Sequence, residues 1–304
     1  MKSNFTKIII KNNIRIYLSD LQNLANDILS YHKYLPLPAI ILGNSLAVFS
    51  PLKFLYDSQK LMIRIKSNGP INSLIMEIQD HDVRALISDP NIVTEYDNKN
   101  YNEIPLILGI GDDGSLEISR KIKNEYFNSV TKLVRFDIVT DLAYFLNVSD
   151  QIFSAILSDV ELSSDNPLIF SKVRSIIFQL LPNHTEDDKK WIEDFVANIN
   201  IKTLSIKEIE DKIDGKLLET KHLSSKCWCS KEKMIKAILL LPMKEQEELK
   251  KNSLEIKCEF CLKTITIKKD DFFSEWSELY FQDLLTLFMK VMILWYKKDW
   301  KILI

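Results

Sequence analysis

Apolar positions recur at a spacing of two in some stretches of residues 1–182 and at helical spacing in others, which predicts a mixed α and β domain. Ile8–Ile10 and Ile14–Leu18 flank an Asn-Asn turn and read as strands. Asp20 is placed to cap a helix running toward Tyr31, with Leu21, Leu24, Ile28 and Tyr31 on one face. Pro36 and Pro38 break the chain, a helical apolar stretch follows to Phe49, and Pro51 comes just after it. Leu61–Lys66 alternates as a strand and ends at Asn68-Gly69-Pro70, and Ile71–Ile78 and Val83–Ile87 read as further strands. Val130–Val139 reads as another strand, Asp141–Leu146 and Ser149–Ser158 as helices, and Val173–Leu181 as an apolar segment ended by Pro182.

Between these elements, Gly109-x-Gly111-x-x-Gly114 matches the letters of a dinucleotide-binding loop. That loop must leave a strand and open a helix, so that a pyrophosphate meets the helix N-terminus. Here the sequel, Ser115-Leu-Glu-Ile-Ser119, alternates as a strand, and Asp-Gly is a hairpin signal. The stretch is therefore read as a hairpin around Gly111–Gly114, flanked by Ile104–Ile110 and Ser115–Ile118.

The pattern changes over residues 183–225. Thr185 with Asp188, and Ser205 with Glu208, each have capping-box spacing. Behind the first lie Trp191, Ile192, Phe195, Val196 and Ile199; behind the second lie Ile206, Ile209 and Ile213. Ten acids and seven lysines surround these stripes. Two short amphipathic helices of this kind need another surface to lie on. Trp191, Phe195, Ile199 and Ile206 are the expected covering face of this linker.

Residues 226–273 hold a helix capped by Ser230, with Met234, Ile235, Ile238 and Leu239 on its apolar face, and two strands, Leu254–Lys257 and Thr264–Ile267. In the tail, 274–304, the stretch Leu284–Tyr296 is apolar except for Thr286 and Lys290. It is too short for a membrane span, so a buried helix or an interface is expected, with a lipid-surface role for Lys297, Lys298 and Lys301 the lesser reading.

Composition adds limits. Apolar residues make up 46% and charged residues 27% of 304 residues, as in ordinary globular chains. A net charge of −2 argues against a nucleic-acid partner. The first 13 residues carry no secretory pattern, and a reducing cytoplasmic setting is expected.

The chemistry lies in the cysteines. All four fall in one 35-residue window, as Cys227-Trp-Cys229 and Cys258-Glu-Phe-Cys261. Two close pairs of soft thiolates suit one tetrahedral zinc ion, each pair forming an edge of the tetrahedron. A segment as short as 226–273 cannot bury enough apolar area to fold without such a staple. Ligating thiolates are also nucleophiles toward peroxide, so the centre is read as a redox switch. The close neighbours have the smallest loops to close, so Cys227–Cys229 and Cys258–Cys261 are the expected disulfides. His222 lies five residues before Cys227, but four cysteines already complete the shell; His32, His81 and His184 have no ligand spacing.

The motif Cys227-Trp-Cys229-Ser230…Cys258-Glu-Phe-Cys261 resembles that of the redox-regulated, zinc-dependent 33-kilodalton heat-shock chaperones. Weaker likeness runs through Asn68-Gly69-Pro70, Val83-Arg84, Asp141–Phe145 and Gln179–Pro182. Departures are Arg84-Ala85-Leu86 for the family's Arg-Gly-Tyr, Arg174-Ser175 for its Gly-Gly, and Ser149-Asp150-Gln151 for its Ser-Glu-Gln. The resemblance implies a non-enzymatic, ATP-independent holdase. In it the four cysteines bind one zinc ion when reduced and form two disulfides when oxidised, its partners are unfolded clients, and oxidised copies dimerise.

The expected architecture is α+β: a mixed client-binding core over 1–182, a helical linker over 183–225, a four-cysteine zinc module over 226–273 and an apolar tail over 274–304. The rival is an interaction protein with a permanent structural zinc.

Overall fold

The computed structural model describes residues 4–94, 101–249 and 253–272. It divides into two compact units, residues 1–227 and 228–304.

The first unit opens with β1 (Phe5–Lys11) and β2 (Ile14–Asp20), a hairpin whose Asn12 takes a left-handed φ of 50°. Helix α1 (Gln22–His32) follows, then α2 (Pro36–Phe49) with proline at its first turn, and α3 (Leu52–Leu55). α2 is apolar all round and buried all round, as a central core helix must be. The continuous span Pro36–Leu55 is long and apolar enough to cross a membrane but is 83% buried within the fold. Next come β3 (Lys60–Ser67), β4 (Ser73–Gln79), β5 (Asp82–Ile87), α4 (Ile107–Ile110), β6 (Gly114–Ile122), β7 (Glu125–Lys132), α5 (Ile138–Val148), β8 (Ser154–Leu162) and β9 (Phe170–Leu180). The unit ends with α6 (Glu186–Asn198), α7 (Ile206–Ile213), β10 (Lys216–His222) and β11 (Ser224–Ser225).

The strands form two sheets, in the orders β10-β1-β2-β9-β8 and β11-β5-β4-β3-β6-β7. In the six-stranded sheet the alternate residues Leu61, Ile63, Ile65, Leu74, Met76 and Ile78 enter the main core with α1 and α2. Its other face mixes apolar residues such as Met62, Ile75 and Leu86 with charges, including ion pairs from Glu117 to Arg64 and Lys66. The five-stranded sheet is apolar on both faces. Tyr17, Val173 and Ile177 point into the main core, while Ile16, Leu18, Ile176 and Phe178 point into a second one. Consecutive apolar residues, Ile16-Tyr17-Leu18 in β2 and Ile176-Ile177-Phe178 in β9, therefore serve the two cores in turn.

The second core is closed by α6 and α7. Ile192, Ile201, Ile209 and Ile213 are buried in it, and Trp191, Phe195, Ile199 and Ile206 pack against it half-buried. Phe178, Trp191 and Phe195 form an aromatic cluster with centroid distances of 6.1, 5.4 and 4.9 Å. Both capping boxes form in full.

Several expectations need correction. The segment after Ser149 becomes the strand β8: Ile156, Ser158 and Val160 alternate onto the main-core side, with Ser158 Oγ donating to Asn44 Oδ1 at 3.2 Å, while Ala155 and Leu157 pack on the second core. Strand β7 ends at Lys132, and Val139 already belongs to α5, capped by Asp137. Asp20 lies one residue too early to cap α1; Leu21 is the N-cap residue, and Asp20 accepts the Gln22 N–H at 3.4 Å. Tyr31 stays 39% exposed. Gly111–Gly114 is not a hairpin turn: the expected first arm, Ile104–Ile110, ends in the helical turn α4, and β6 leaves the segment to pair with β7 through a turn at Lys123. Gly111, at φ 84°, makes the reversal, and a strand follows where a nucleotide loop needs a helix. Within 216–225, read as the end of a helical linker, Lys216–His222 and Ser224–Ser225 are strands.

The second unit holds α8 (Lys231–Leu239), α9 (Met243–Leu249) and the hairpin β12 (Leu254–Lys257) and β13 (Thr264–Ile267). Its buried apolar cluster is Ile235, Ile238, Ile267 and Phe272. The architecture is thus α+β, as the periodicities indicated, and the apolar tail 274–304 lies outside the described residues.

Candidate metal centre

The cysteines are delivered by two different devices. Cys258 and Cys261 sit on the turn between β12 and β13. There the Cys258 N–H donates to the Lys263 carbonyl at 3.0 Å, and the Leu262 N–H to the Cys258 carbonyl at 2.8 Å. Leu262 takes a φ of 57°, which tightens the knuckle. Cys227 and Cys229 lie on the extended chain between β11 and α8. Ser230 caps α8, accepting the Lys233 N–H at 3.3 Å, and Lys233 Nζ donates to the Trp228 carbonyl at 2.8 Å. Lys231 Nζ pairs with Asp271 at 2.8 Å, tying the start of α8 to the segment after β13. The Lys231 hydrogen bond, helped by the Lys268 N–H, holds the Asp271 carboxyl below its ordinary range.

The four sulfurs all lie within 4.8 Å of one another, with Cys229 and Cys261 Sγ 3.6 Å apart. Zinc–sulfur bonds of about 2.3 Å in a tetrahedron put sulfurs roughly 3.8 Å apart. The spacing fits one such ion. Cys258 is buried and the other three are half-buried, so the sulfurs are shielded yet open to a small oxidant. Among the described residues this is the one cluster of potential metal ligands. His222 stands apart from it on exposed β10, its carbonyl accepting from His81 Nδ1 at 3.3 Å. His184 Nδ1 bonds the Leu181 carbonyl, and His32 stacks on Tyr34.

The sequence did not reveal what holds Cys227. Two residues before it, β11 pairs in parallel with Asp82 and Val83 of β5. The Lys226 N–H donates to the Val83 carbonyl at 3.2 Å, Ser224 Oγ to Asp82 at 2.6 Å, and Lys226 Nζ pairs with Asp82 at 3.3 Å. Arg84 places Nη1 3.7 Å from Cys227 Sγ and is oriented by Glu77, which accepts from its Nε and Nη2 at 3.0 and 2.6 Å. The polar pair Asp82 and Arg84, alternating on an otherwise apolar strand, was the available signal.

Fold and site together define a class: an α+β chain with two amphipathic helices laid on its sheet and a four-thiolate cradle beyond them. The family model described as Hsp33 protein matches residues 4–268. The chain belongs to the Hsp33 family. It is 27% identical over 271 residues to the 33 kDa chaperonin of Acholeplasma laidlawii, covering 85% of this chain and 92% of that protein. It is also 27% identical over 244 residues to the 33 kDa chaperonin of Thermodesulfovibrio yellowstonii, covering 76% and 82%. The crystal structure of the 33 kDa chaperonin from Thermotoga maritima matches with a TM-score of 0.77 at 21% identity, over 91% of this chain and 99% of that one, which shows the shared fold.

Proposed function

We propose that this chain is an ATP-independent, redox-switched holdase that keeps unfolding proteins from aggregating. One observation carries the reading: four sulfurs gathered within 4.8 Å, the first of them directly beyond a linker whose helices cover an apolar sheet face. Residues 1–182 act as the client-binding core, 183–225 as the linker, 226–273 as the switch, and 274–304 as a tail. When bound, a zinc ion supplies folding energy to the switch and keeps its thiolates deprotonated. Cys227, Cys229, Cys258 and Cys261 hold it.

Peroxide converts one thiolate of a pair to a sulfenic acid, and the second thiolate displaces hydroxide to close a disulfide. For both pairs, two peroxides are reduced to four waters with uptake of four protons. Cys227–Cys229 and Cys258–Cys261 are the proposed bonds, since each closes the shorter loop. Disulfides between near neighbours restrain little, so the switch module loosens and its hold on residues 223–226 is lost. The partners are unfolded polypeptides and, after oxidation, a second copy of the chain; the setting is the cytoplasm, and no catalysis is assigned.

Light scattering from a thermally unfolding client tests this. The reduced, zinc-loaded protein should leave aggregation unchanged, and the peroxide-treated protein should suppress it. Zinc retained under peroxide with an unchanged thiol count, and no difference between the two forms, would point instead to a permanent structural zinc in an interaction protein.

A further inference from the structure

The five-stranded sheet ends at β10, which is a weak strand by its own composition. Lys216-Leu-Leu-Glu-Thr-Lys-His222 buries no side chain fully, and Leu217 and Leu218 remain 43% and 51% exposed. Its attachment is antiparallel main-chain pairing to β1, with a register break between Ile8 and Ile9.

The strand beneath it is the opposite. Ile8 sits in the main core, Ile9 in the core under the linker, and Ile10 completes a run of three isoleucines. An edge strand of that kind is a template for adding another strand, and a charged cover suppresses this.

β10 is also strung between the two parts that the proposed switch releases. At one end α7 runs into it through Gly215, where a Cβ would lie 2.6 Å from Ile9 Cγ2 and 3.0 Å from the Ile10 carbonyl oxygen. At the other end the Leu223 side chain is buried in the main core, its N–H donates to the Asn4 carbonyl at 3.0 Å, and β11 and Cys227 follow.

We infer that β10 is a built-in stand-in for a client, and that the outer edge of β1, residues 5–11, takes an extended polypeptide by antiparallel strand addition once β10 leaves. The inference rests on the holdase reading above. The seated segment sets the chemistry of the occupant. Main-chain pairing accepts many sequences, and isoleucines on both faces favour apolar, β-branched segments.

Hydrogen exchange followed by mass spectrometry on the full chain tests this in three states: reduced and zinc-loaded, oxidised, and oxidised with reduced, carboxymethylated α-lactalbumin as client. Oxidation should speed exchange over 216–222 and at the amides of 5–11 that face β10. Client addition should slow the latter roughly tenfold or more. A peptide of residues 214–223 should displace the client, and the same peptide N-methylated at the amides facing β1 should not. Of the successive variants Glu219→Pro and Thr220→Pro, one removes an N–H that β10 gives to β1. That variant should bind client while reduced, with the thermal transition of residues 1–227 retained. A client held without slower exchange over 5–11, or 216–222 still protected after oxidation, overturns the edge site and leaves the holdase standing. An oxidised protein that holds no client overturns both.

Discussion

The two faces of the five-stranded sheet are made of the same kind of residue and covered in different ways. On one face Tyr17, Val173 and Ile177 meet α2, which carries no charge and is buried all round. On the other Ile16, Ile176 and Phe178 meet α6 and α7, charged helices that bury only a stripe and leave Trp191 and Phe195 half-open. The first cover is permanent, since exposing α2 would put its whole circumference in water. In the proposed function the second is the one that opens. Its helices are too short to persist unaided, and polar ties hold them: the Lys7–Glu210 ion pair, Lys11 Nζ on the Asp214 carbonyl at 3.0 Å, and Lys172 Nζ on the Lys202 carbonyl at 2.9 Å. Equal apolar faces with unequal covers are what a protein needs if one face is to be shown on demand.

The largest effect expected comes from the smaller unit. Structural zinc contributes on the order of 10–16 kcal/mol to modules of this size, whereas the apolar cluster here is Ile235, Ile238, Ile267 and Phe272. Chelation under reducing conditions, or Cys258→Ser, should therefore abolish protease resistance over residues 226–272 and leave the β2–β9 amides protected in hydrogen exchange. Resistance that survives with tightly bound metal in Cys258→Ser would break the coupling between the metal site and the fold of the smaller unit. Next come the two covers themselves. Phe49→Ala, in α2, should cost about 3–5 kcal/mol and lower the melting of the whole first unit. Ile209→Ala, in α7, should cost about 2–5 kcal/mol locally but release α6 and α7 first. Early proteolysis over 183–215 and client binding by the reduced protein would report that release. Identical global melting for both variants would mean that the covers are not distinct.

A smaller effect is expected at Arg174, which joins the permanent and conditional parts. Its Nη1 donates to the Leu204 carbonyl at 2.8 Å, and its Nη2 pairs with Asp159, which is 1% exposed. Arg174→Ala would leave that carboxylate buried beside only the more distant Lys172, at 3.8 Å. Linker opening in the reduced protein, measured by hydrogen exchange over 200–205, should rise. Asp159→Asn combined with Arg174→Leu should restore much of the lost stability without restoring the hold on Leu204.

Much of this contrast was legible in the sequence because it is written in periodicity. The capping spacings Thr185–Asp188 and Ser205–Glu208, the stripe Trp191, Phe195, Ile199, and the two cysteine pairs are local patterns, and local patterns survive into the fold. What was not legible depends on partners far along the chain. β10 is built of Lys, Glu, Thr and His with two exposed leucines, and it is a strand only because β1 offers an edge far back in the chain, Lys7 pairing with Thr220. β8 begins with Ser-Ala and carries half-buried positions on both faces, so neither period dominates. Arg84 reaches Cys227 only because β11 pairs with β5, a contact no spacing encodes.

The smallest effect concerns acid. Asp188 and Glu208 close the capping boxes of the linker helices. The Thr185 N–H holds the Asp188 carboxyl below its usual range, and the Ser205 N–H does the same for Glu208. Both groups have folded pKa values below their unfolded ones. Their contribution is therefore complete above the ordinary carboxylate range and is lost as pH falls through the lowered folded values. α1 and α2 have no carboxylate in their first turns, so the permanent cover has no corresponding dependence. Between pH 7 and about pH 3, the reduced protein should lose helix protection over 186–213 before it loses protection over 36–49. Thr185→Ala should cost about 1 kcal/mol and shift the opening of α6 to higher pH. Asp188→Asn should flatten that dependence, because the side chain no longer titrates. If both covers open together in acid, the capping boxes are not what separates them, and the distinction between the faces must rest on apolar area alone.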